Sequence, residues 1–175
     1  MFVLKHWITN ALLFQSAWFA ALFFQAQALW FMLLCCALMV VGHSNRQLNV
    51  VLALCGSVIG MSVEFAAVKI GLLSYQGVET LPLWLWVLWI ALILTVNHAL
   101  QKLLTLKSPL LLITFLVCAP PSYLGAANFD VVSISQPWYV FWPLFGALWS
   151  IGFFLIVKFN RILWGTKLAQ QRPNW

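Results

Sequence analysis

The residue best suited to chemistry in this 175-residue chain is Glu64, which lies inside an apolar run at residues 48–71. Such a run is long enough to cross a bilayer as a helix, because about 20 residues at about 1.5 Å each cover a hydrocarbon core of about 30 Å. A carboxyl there is costly unless it is paired, hydrogen-bonded or protonated. Glu64 is therefore a catalytic candidate as acid or base, and a structural carboxyl is the alternative.

Two glycines share the helix face that carries this carboxyl. Gly56, Gly60 and Glu64 are spaced four residues apart, and residues at that spacing lie on one side of a helix. Small residues allow helices to approach closely in lipid. We therefore expect Gly56 and Gly60 to pack against a neighbouring helix, and Glu64 to face protein.

Tyr123 is the second catalytic candidate, as a hydrogen-bonding partner of Glu64. Glu64 lies about 27 Å along its helix from Arg46, and Tyr123 about 24 Å from Lys107, so both lie toward the outer leaflet. Pro120–Pro121 is expected to break the helix and free carbonyls, which is tolerated only against protein or a water-lined cavity. The tryptophans expected to wall this site are Trp84, Trp138 and Trp142.

A second group of polar residues is predicted near the opposite membrane surface. Asn10 lies shortly after Lys5, and Asn97 and His98 lie shortly before Lys102. Since Asn97 and His98 are adjacent, at most one of them points into the bundle. This polar group, to which Gln15 is added, either forms a binding cluster or provides interhelical hydrogen bonds.

The composition predicts the membrane-embedded class of protein. Hydrophobic residues make up 64% of the chain, charged residues 7%, and the mean hydropathy is +0.98, whereas soluble domains carry about 25% charged residues. We expect an all-α, single-domain bundle of about six transmembrane helices over residues 1–175. The expected spans are approximately 7–24, 28–41, 48–71, 81–100, 109–123 and 138–157.

The basic residues predict the orientation. Of nine Lys and Arg residues, eight fall in the two ends of the chain and in alternate loops, and Lys69 is the exception. The positive-inside rule therefore places both termini in the cytoplasm. Lys69 is five residues from Glu64, about 140° around the helix, so we expect it to extend outward and not to pair with that carboxyl.

Several classes of site are disfavoured. The three histidines and the four cysteines, Cys35, Cys36, Cys55 and Cys118, form no metal-ligand spacing, so no metal site and no cofactor are predicted. Phosphate loops, dinucleotide-binding glycines and nucleophile elbows are absent. The basic residues are confined to segment ends and not interleaved with aromatics, which disfavours nucleic-acid binding. No internal repeat favours a transporter.

Three stretches carry a resemblance to a known family. They are Asn10 with Phe14-Gln15 and Trp18-Phe19; Leu81-Pro82-Leu83-Trp84-Leu85 with Leu88-Trp89; and Pro121-Ser122-Tyr123-Leu124-Gly125-Ala126. The chain resembles, over nearly its whole length, the uncharacterised bacterial inner-membrane proteins of domain of unknown function family 2878. The resemblance implies a multi-pass protein of the bacterial inner membrane. It also implies a lipid-related role, because family members are often encoded near lipid-modifying enzymes.

A shorter resemblance points to an enzyme. Glu64, Gly71-x-x-x-Tyr75 and the Leu-Pro-x-Trp stretch at residues 81–84 are similar to membrane carotenoid cyclases and hydratases, which need an acid beside an apolar chain. Two functions therefore stay open: an accessory protein of membrane-lipid metabolism, and an intramembrane lipid- or isoprenoid-modifying enzyme using Glu64. The expected partners are membrane lipids and, alternatively, another membrane protein. The substrate and the oligomeric state are not fixed by the sequence.

Overall fold

The structure, a computed structural model, describes residues 2–170 and the side chains of residues 7–165. Within them the chain is mostly helical, with two short strands. The helices are α1 (Phe2–Phe24), α2 (Leu29–Val41), α3 (Arg46–Lys69), α4 (Leu83–Leu94), α5 (Ser108–Ala127) and α6 (Trp138–Gln170), with 3₁₀ turns at Gln25–Ala28 and Gln101–Thr105. The strands are β1 (Leu73–Tyr75) and β2 (Val132–Ile134).

Four helical segments among the described residues are long and apolar enough to span a membrane. They are Trp7–Val41, Arg46–Lys69, Ser108–Ala127 and Trp138–Gly165, and Leu83–Leu94 is a shorter apolar helix. The first segment contains α1 and α2, and it turns back at Gln25, whose φ of 45° is left-handed. As a result Asn10 of α1 and Met39 of α2 line the same small cavity.

Helix α4 ends at Leu94, six residues before the predicted end of the fourth span at residue 100. The Leu94 carbonyl accepts hydrogen bonds from Asn10 Nδ2 at 3.3 Å and His43 Nε2 at 3.1 Å. Thr95 Oγ1 also donates to the Leu92 carbonyl at 2.6 Å. Side chains thus satisfy the last carbonyls of α4, so the helix ends inside the bundle without leaving them unpaired.

A two-stranded sheet joins the two loops at one end of the bundle, although the sequence predicts an all-α protein. Strands β1 and β2 pair antiparallel, with Leu73 opposite Ile134 and Tyr75 opposite Val132. Gly71 and Gly77 flank β1 with φ values of 71° and 73°, which glycine adopts without strain. The all-α expectation therefore misses this sheet, because strands of three residues show no periodicity in sequence.

Helix α5 continues through Pro120 and Pro121 to Ala127, so the predicted break at the prolines is wrong. Pro120 has no N–H to donate to the Leu116 carbonyl. Helix α6 packs directly on that carbonyl, because a Cβ added at Gly146 would lie 2.5 Å from Leu116 O. One turn further along α6, Ser150 Oγ donates to the Leu112 carbonyl at 2.7 Å. The Leu116 carbonyl, which loses its intrahelical donor, is thus buried against protein and not against lipid.

Helices α3 and α4 meet along the glycine face of α3. A Cβ added at Gly60 would lie 2.2 Å from Cε3 of Trp89, and one added at Gly56 would lie 3.1 Å from a side-chain carbon of Ile93. The missing side chains therefore make room for the large residues of α4. This contact brings the Trp89 indole to the helix face that carries Glu64.

Candidate functional site

Glu64 is fully buried and receives three hydrogen bonds from three different elements. Tyr75 Oη of β1 donates to Oε2 at 2.8 Å. Trp89 Nε1 of α4 donates to Oε1 at 3.3 Å, and Tyr123 Oη of α5 donates to the same oxygen. We call Glu64, Tyr75, Trp89 and Tyr123 the Glu64 cluster. All three donors are neutral groups, so the carboxyl is held by hydrogen bonds from uncharged side chains.

Each donor is positioned by a separate packing contact. The pairing of β1 with β2 fixes Tyr75, whose ring also meets the Trp84 ring edge-on at 6.0 Å. Trp89 lies in the space that Gly60 leaves open. The Tyr123 ring meets the Phe145 ring of α6 at 4.4 Å. Because the donors depend on independent contacts, the cluster is preorganised without any one element controlling it.

Tyr75 lies in β1, outside the membrane-spanning helices. Its burial, and next the negative charge of Glu64, raise the pKa of Tyr75 well above 10. The hydroxyl therefore stays protonated at neutral pH and acts as a hydrogen-bond donor to the carboxyl.

A cavity of about 330 Å³ lies beside the Glu64 cluster, a volume at the lower end of the range for ligand pockets. Tyr75, Trp89 and Tyr123 form part of its wall, whereas Glu64 does not. The rest of the wall is largely apolar and comes from α1, α4, α5, α6 and β2: Phe14, Gln15, Trp18, Ala21, Leu22, Trp84, Leu85, Leu88, Leu92, Phe115, Cys118, Ala119, Ser122, Ala126, Val131, Val132 and Trp149. Every donor to the carboxyl thus also faces the cavity.

The cavity reaches the surface of the bundle between α1 and α5. Gln15 of α1 and Cys118 of α5 belong to its wall and are exposed. At the end of α1 near the sheet, the Phe23 ring packs edge-on against Phe129 at 5.3 Å and closes the space between the two chain segments. A molecule entering the cavity would therefore pass between α1 and α5.

Trp149 of α6 is the fourth aromatic residue beside the carboxyl. Its ring stacks on Trp89 at 4.6 Å and meets the Tyr123 ring at 5.8 Å. The residue is 9% exposed, and its indole N–H interacts with Glu64 and Tyr123 without forming a well-aligned hydrogen bond to either.

The remaining residues predicted for this site are distributed unevenly. Trp84 lines the cavity as expected, and so does Gln15, which was predicted to belong to the other polar group. Trp138 is 67% exposed and contacts Tyr139, and neither Trp138 nor Trp142 belongs to the cavity wall. Lys69 lies over the Phe65 ring at 5.3 Å, which agrees with its expected outward direction.

Asn97 lies in a second polar site, at the other end of α3. Asn97 Nδ2 donates to Asn49 Oδ1 at 2.7 Å and to Asn160 Oδ1 at 3.1 Å. Asn160 Nδ2 donates back to Asn97 Oδ1 at 2.8 Å, and Asn49 Nδ2 donates to the Asn45 carbonyl at 3.0 Å. We call Asn49, Asn97 and Asn160 the asparagine cluster. It ties α3 and α6 to the turn that follows α4.

Asn10 and His98 lie near this site but make other contacts. The His98 ring packs edge-on against His43 at 3.9 Å. Burial, and next the neighbouring His98, lower the pKa of His43 from 6.5 to about 4. Asn10 and His98 line a cavity of about 40 Å³, too small for more than one or two waters. No three metal-binding side chains come together among the described residues.

Sequence reasoning did not assign Tyr75, Trp89 or Trp149 to the site. Trp149 belongs to an aromatic row on α6 with four-residue spacing, Phe141, Phe145, Trp149 and Phe153, whose neighbouring rings contact one another in succession. That spacing was visible in the sequence. Tyr75 and Trp89 occur in the sequence motifs that carry the two resemblances, but their contacts with Glu64 depend on strand pairing and on the approach of α4 to Gly60.

Comparison with known proteins gives one match. The family described as Protein of unknown function (DUF2878) matches residues 7–155, which confirms the resemblance noted in the sequence. No curated protein and no solved structure matches the chain.

Proposed function

We propose that this chain, which belongs to the DUF2878 family, is an intramembrane lipid- or isoprenoid-modifying enzyme that uses Glu64 as its acid or base. One observation supports this function above the others. The three side chains that hydrogen-bond the buried carboxyl are also part of the wall of an apolar cavity of about 330 Å³. Such a cavity suits one apolar chain better than a complete two-chain lipid.

In this proposal Tyr123 carries a proton between the carboxyl and the bound chain. As the acid, Glu64 is protonated and donates to Tyr123 Oη, the reverse of the hydrogen bond described above. Its proton passes to Tyr123 Oη while the Tyr123 proton passes to one carbon of a C=C bond, whose π electrons form the new C–H bond and leave a carbocation that later returns a different proton to the carboxylate through Tyr123. The resulting carboxylate is stabilised by Tyr75 and Trp89, which already donate to it. A preorganised set of donors lowers the energy of a charge that develops during reaction. The reverse transfer would make Glu64 the base.

The proposed setting is the bacterial inner membrane, with membrane lipids as the partner. We propose six crossings, in which α1 and α2 cross separately and α4 crosses together with the turns at residues 95–105. Both termini then lie in the cytoplasm, because this topology places eight of the nine basic residues on the cytoplasmic side. An alkaline-phosphatase fusion to the C-terminus should be inactive, and an active fusion would contradict this topology.

A second candidate function is an accessory protein of lipid metabolism without catalysis. It is favoured by the complete burial of Glu64 and by the hydrogen bonds that both of its oxygens already accept. A structural carboxyl of this kind would pin β1, α4 and α5 to α3. The two functions differ in whether the cavity must admit a lipid chain.

Blocking the mouth of the cavity tests the enzymatic proposal. We expect Cys118→Trp, at an exposed position in the wall, to reproduce the membrane-lipid profile of a deletion strain. Val117→Trp is the matched control, because Val117 is 48% exposed and outside the cavity wall. It should restore the wild-type profile at equal membrane abundance. Full complementation by an equally abundant Cys118→Trp protein would overturn the proposed use of the cavity.

A further inference from the structure

We propose that Gln15 selects the molecule that enters the cavity, through a hydrogen bond between its side-chain amide and an uncharged carbonyl or hydroxyl group of a neutral lipid. This inference rests on the proposed function, since it assumes that the cavity is a ligand site within a membrane. It begins from the position of Gln15, which belongs to the cavity wall and is exposed at the mouth between α1 and α5.

The mouth lies near the middle of the two helices that form it. Gln15 is about 12 Å along α1 from Trp7, where the apolar segment begins, and about 15 Å from the turn at Gln25. Cys118, on the other side of the mouth, is about 15 Å from the start of α5 and about 14 Å from its end. In a bilayer these depths correspond to the hydrocarbon core, so the mouth would open to lipid chains and not to headgroups.

The Gln15 amide is polar, but the helix face around it is typical of a surface that contacts lipid. Leu12 and Phe19, three and four residues away on the same face, are 62% and 46% exposed. Within the part of the chain that the structure describes, nothing hydrogen-bonds to the Gln15 side chain. Since the hydrocarbon core contains no water, an amide there is costly unless another molecule provides its hydrogen bonds.

The surroundings of Gln15 favour an uncharged group on that molecule. Among the described residues, no lysine or arginine belongs to the cavity wall, which disfavours a phosphate or carboxylate group. A phospholipid also keeps its headgroup at the membrane surface, about 15 Å from the middle of the hydrocarbon core. A neutral lipid dissolved in that core can bring a carbonyl or hydroxyl group to Gln15 while its chain extends along the cavity toward Tyr123.

A matched pair of probes tests this inference. Undecane and 2-undecanone have the same chain length and differ by one carbonyl oxygen. The readout is protection of Cys118 from N-ethylmaleimide in detergent, measured by mass spectrometry in a Cys55→Ser background. Cys118 lines the cavity and is exposed, whereas Cys35 and Cys36 are buried.

Gln15→Met keeps the length of the side chain and removes the amide. We expect it to lower the preference for 2-undecanone over undecane about two- to tenfold, as the loss of one hydrogen bond provides. Ser16→Ala is the matched control and should keep the preference, because Ser16 is exposed on the same helix and outside the cavity wall. Partitioning of the probes into micelles is the same for all variants, so a change in their ratio reports on Gln15.

A second measurement separates recognition of a ligand from a structural role of the amide. Because Gln15 is exposed and makes no hydrogen bond among the described residues, Gln15→Met should keep the thermal stability and the oligomeric state of the parent protein in detergent. Glutamines on lipid-facing helices can also hydrogen-bond between chains. A lower stability, or dissociation of an oligomer, would assign the amide to contacts within or between copies of the chain and overturn the proposal.

The outcomes separate this proposal from the proposed function. An unchanged ratio of the two protecting concentrations in Gln15→Met would overturn the role of Gln15 and leave the cavity as a ligand site. Protection of Cys118 by neither probe in the parent protein would contradict the proposed function as well.

Discussion

The two polar clusters at opposite ends of α3 both bury polar side chains, but they satisfy the hydrogen bonds of those side chains in different ways. Asn49 and Glu64 lie on one helix, about 22 Å apart, and both are buried. In the asparagine cluster, amides pair with amides and with a carbonyl, and none of its three members lines the large cavity. In the Glu64 cluster, a titratable group meets donors that face that cavity.

This difference separates a site built for packing from one available for chemistry. An amide does not titrate near neutral pH, so the asparagine cluster can bind helices together but cannot move a proton. The Glu64 cluster, in contrast, includes a titratable carboxyl, and its donors line the large cavity. We therefore expect substitutions in the asparagine cluster to lower stability more than function, and substitutions in the Glu64 cluster to lower function more than stability.

The largest loss of stability is expected from Gly60→Leu, which lies on α3 between the two clusters. Even a Cβ would lie 2.2 Å from the Trp89 ring, so α4 must move away from α3. We expect destabilisation of at least about 3 kcal/mol and a low yield of purified protein. Gly125→Leu is the control, because nothing lies within 4 Å of a Cβ there. Equal thermal stability of the two variants would show that α4 does not depend on this contact.

Asn97→Leu should lower the free energy of unfolding by less, about 2 kcal/mol. It leaves Asn49 and Asn160 without the partner that they share. Thermal unfolding in detergent measures this change, with the exposed Asn128→Leu as control. The lipid profile of a complemented deletion strain should remain that of the wild type. A lost lipid phenotype at normal abundance would mean that the asparagine cluster also has a functional role.

Acidification should weaken the end of the bundle that contains the asparagine cluster. The pKa of His43 is about 4 in the folded protein and 6.5 ordinarily, so the unfolded chain binds the proton more readily between these values. The stabilisation of the folded protein by neutral His43 is fully present above about pH 6.5 and is lost as the pH falls toward 4. From pH 7 to pH 5 we expect a loss of about 1–2 kcal/mol. His43→Gln should remove this pH dependence, and an unchanged slope would assign it to other groups.

How far the sequence predicts the site depends on the kind of contact involved. The spacing of Gly56, Gly60 and Glu64 is a property of one helix, and depth along two helices was enough to pair Glu64 with Tyr123. Tyr75 enters the site through strand pairing with residues 132–134. The continuation of α5 past its prolines brings the Leu116 carbonyl against Gly146 of another helix. The spacing of residues along one segment does not predict contacts between segments that are distant in the sequence.

The most direct test of the central claim is Glu64→Gln, which keeps the shape of the side chain and removes its titratable proton. Glu79→Gln is the matched control, because Glu79 is exposed in a loop. We expect Glu64→Gln to change thermal stability by about 1 kcal/mol or less and to accumulate normally, while the lipid profile of the complemented deletion strain stays that of the deletion. A wild-type profile with normal abundance of Glu64→Gln would contradict proton transfer by Glu64 and favour the accessory function.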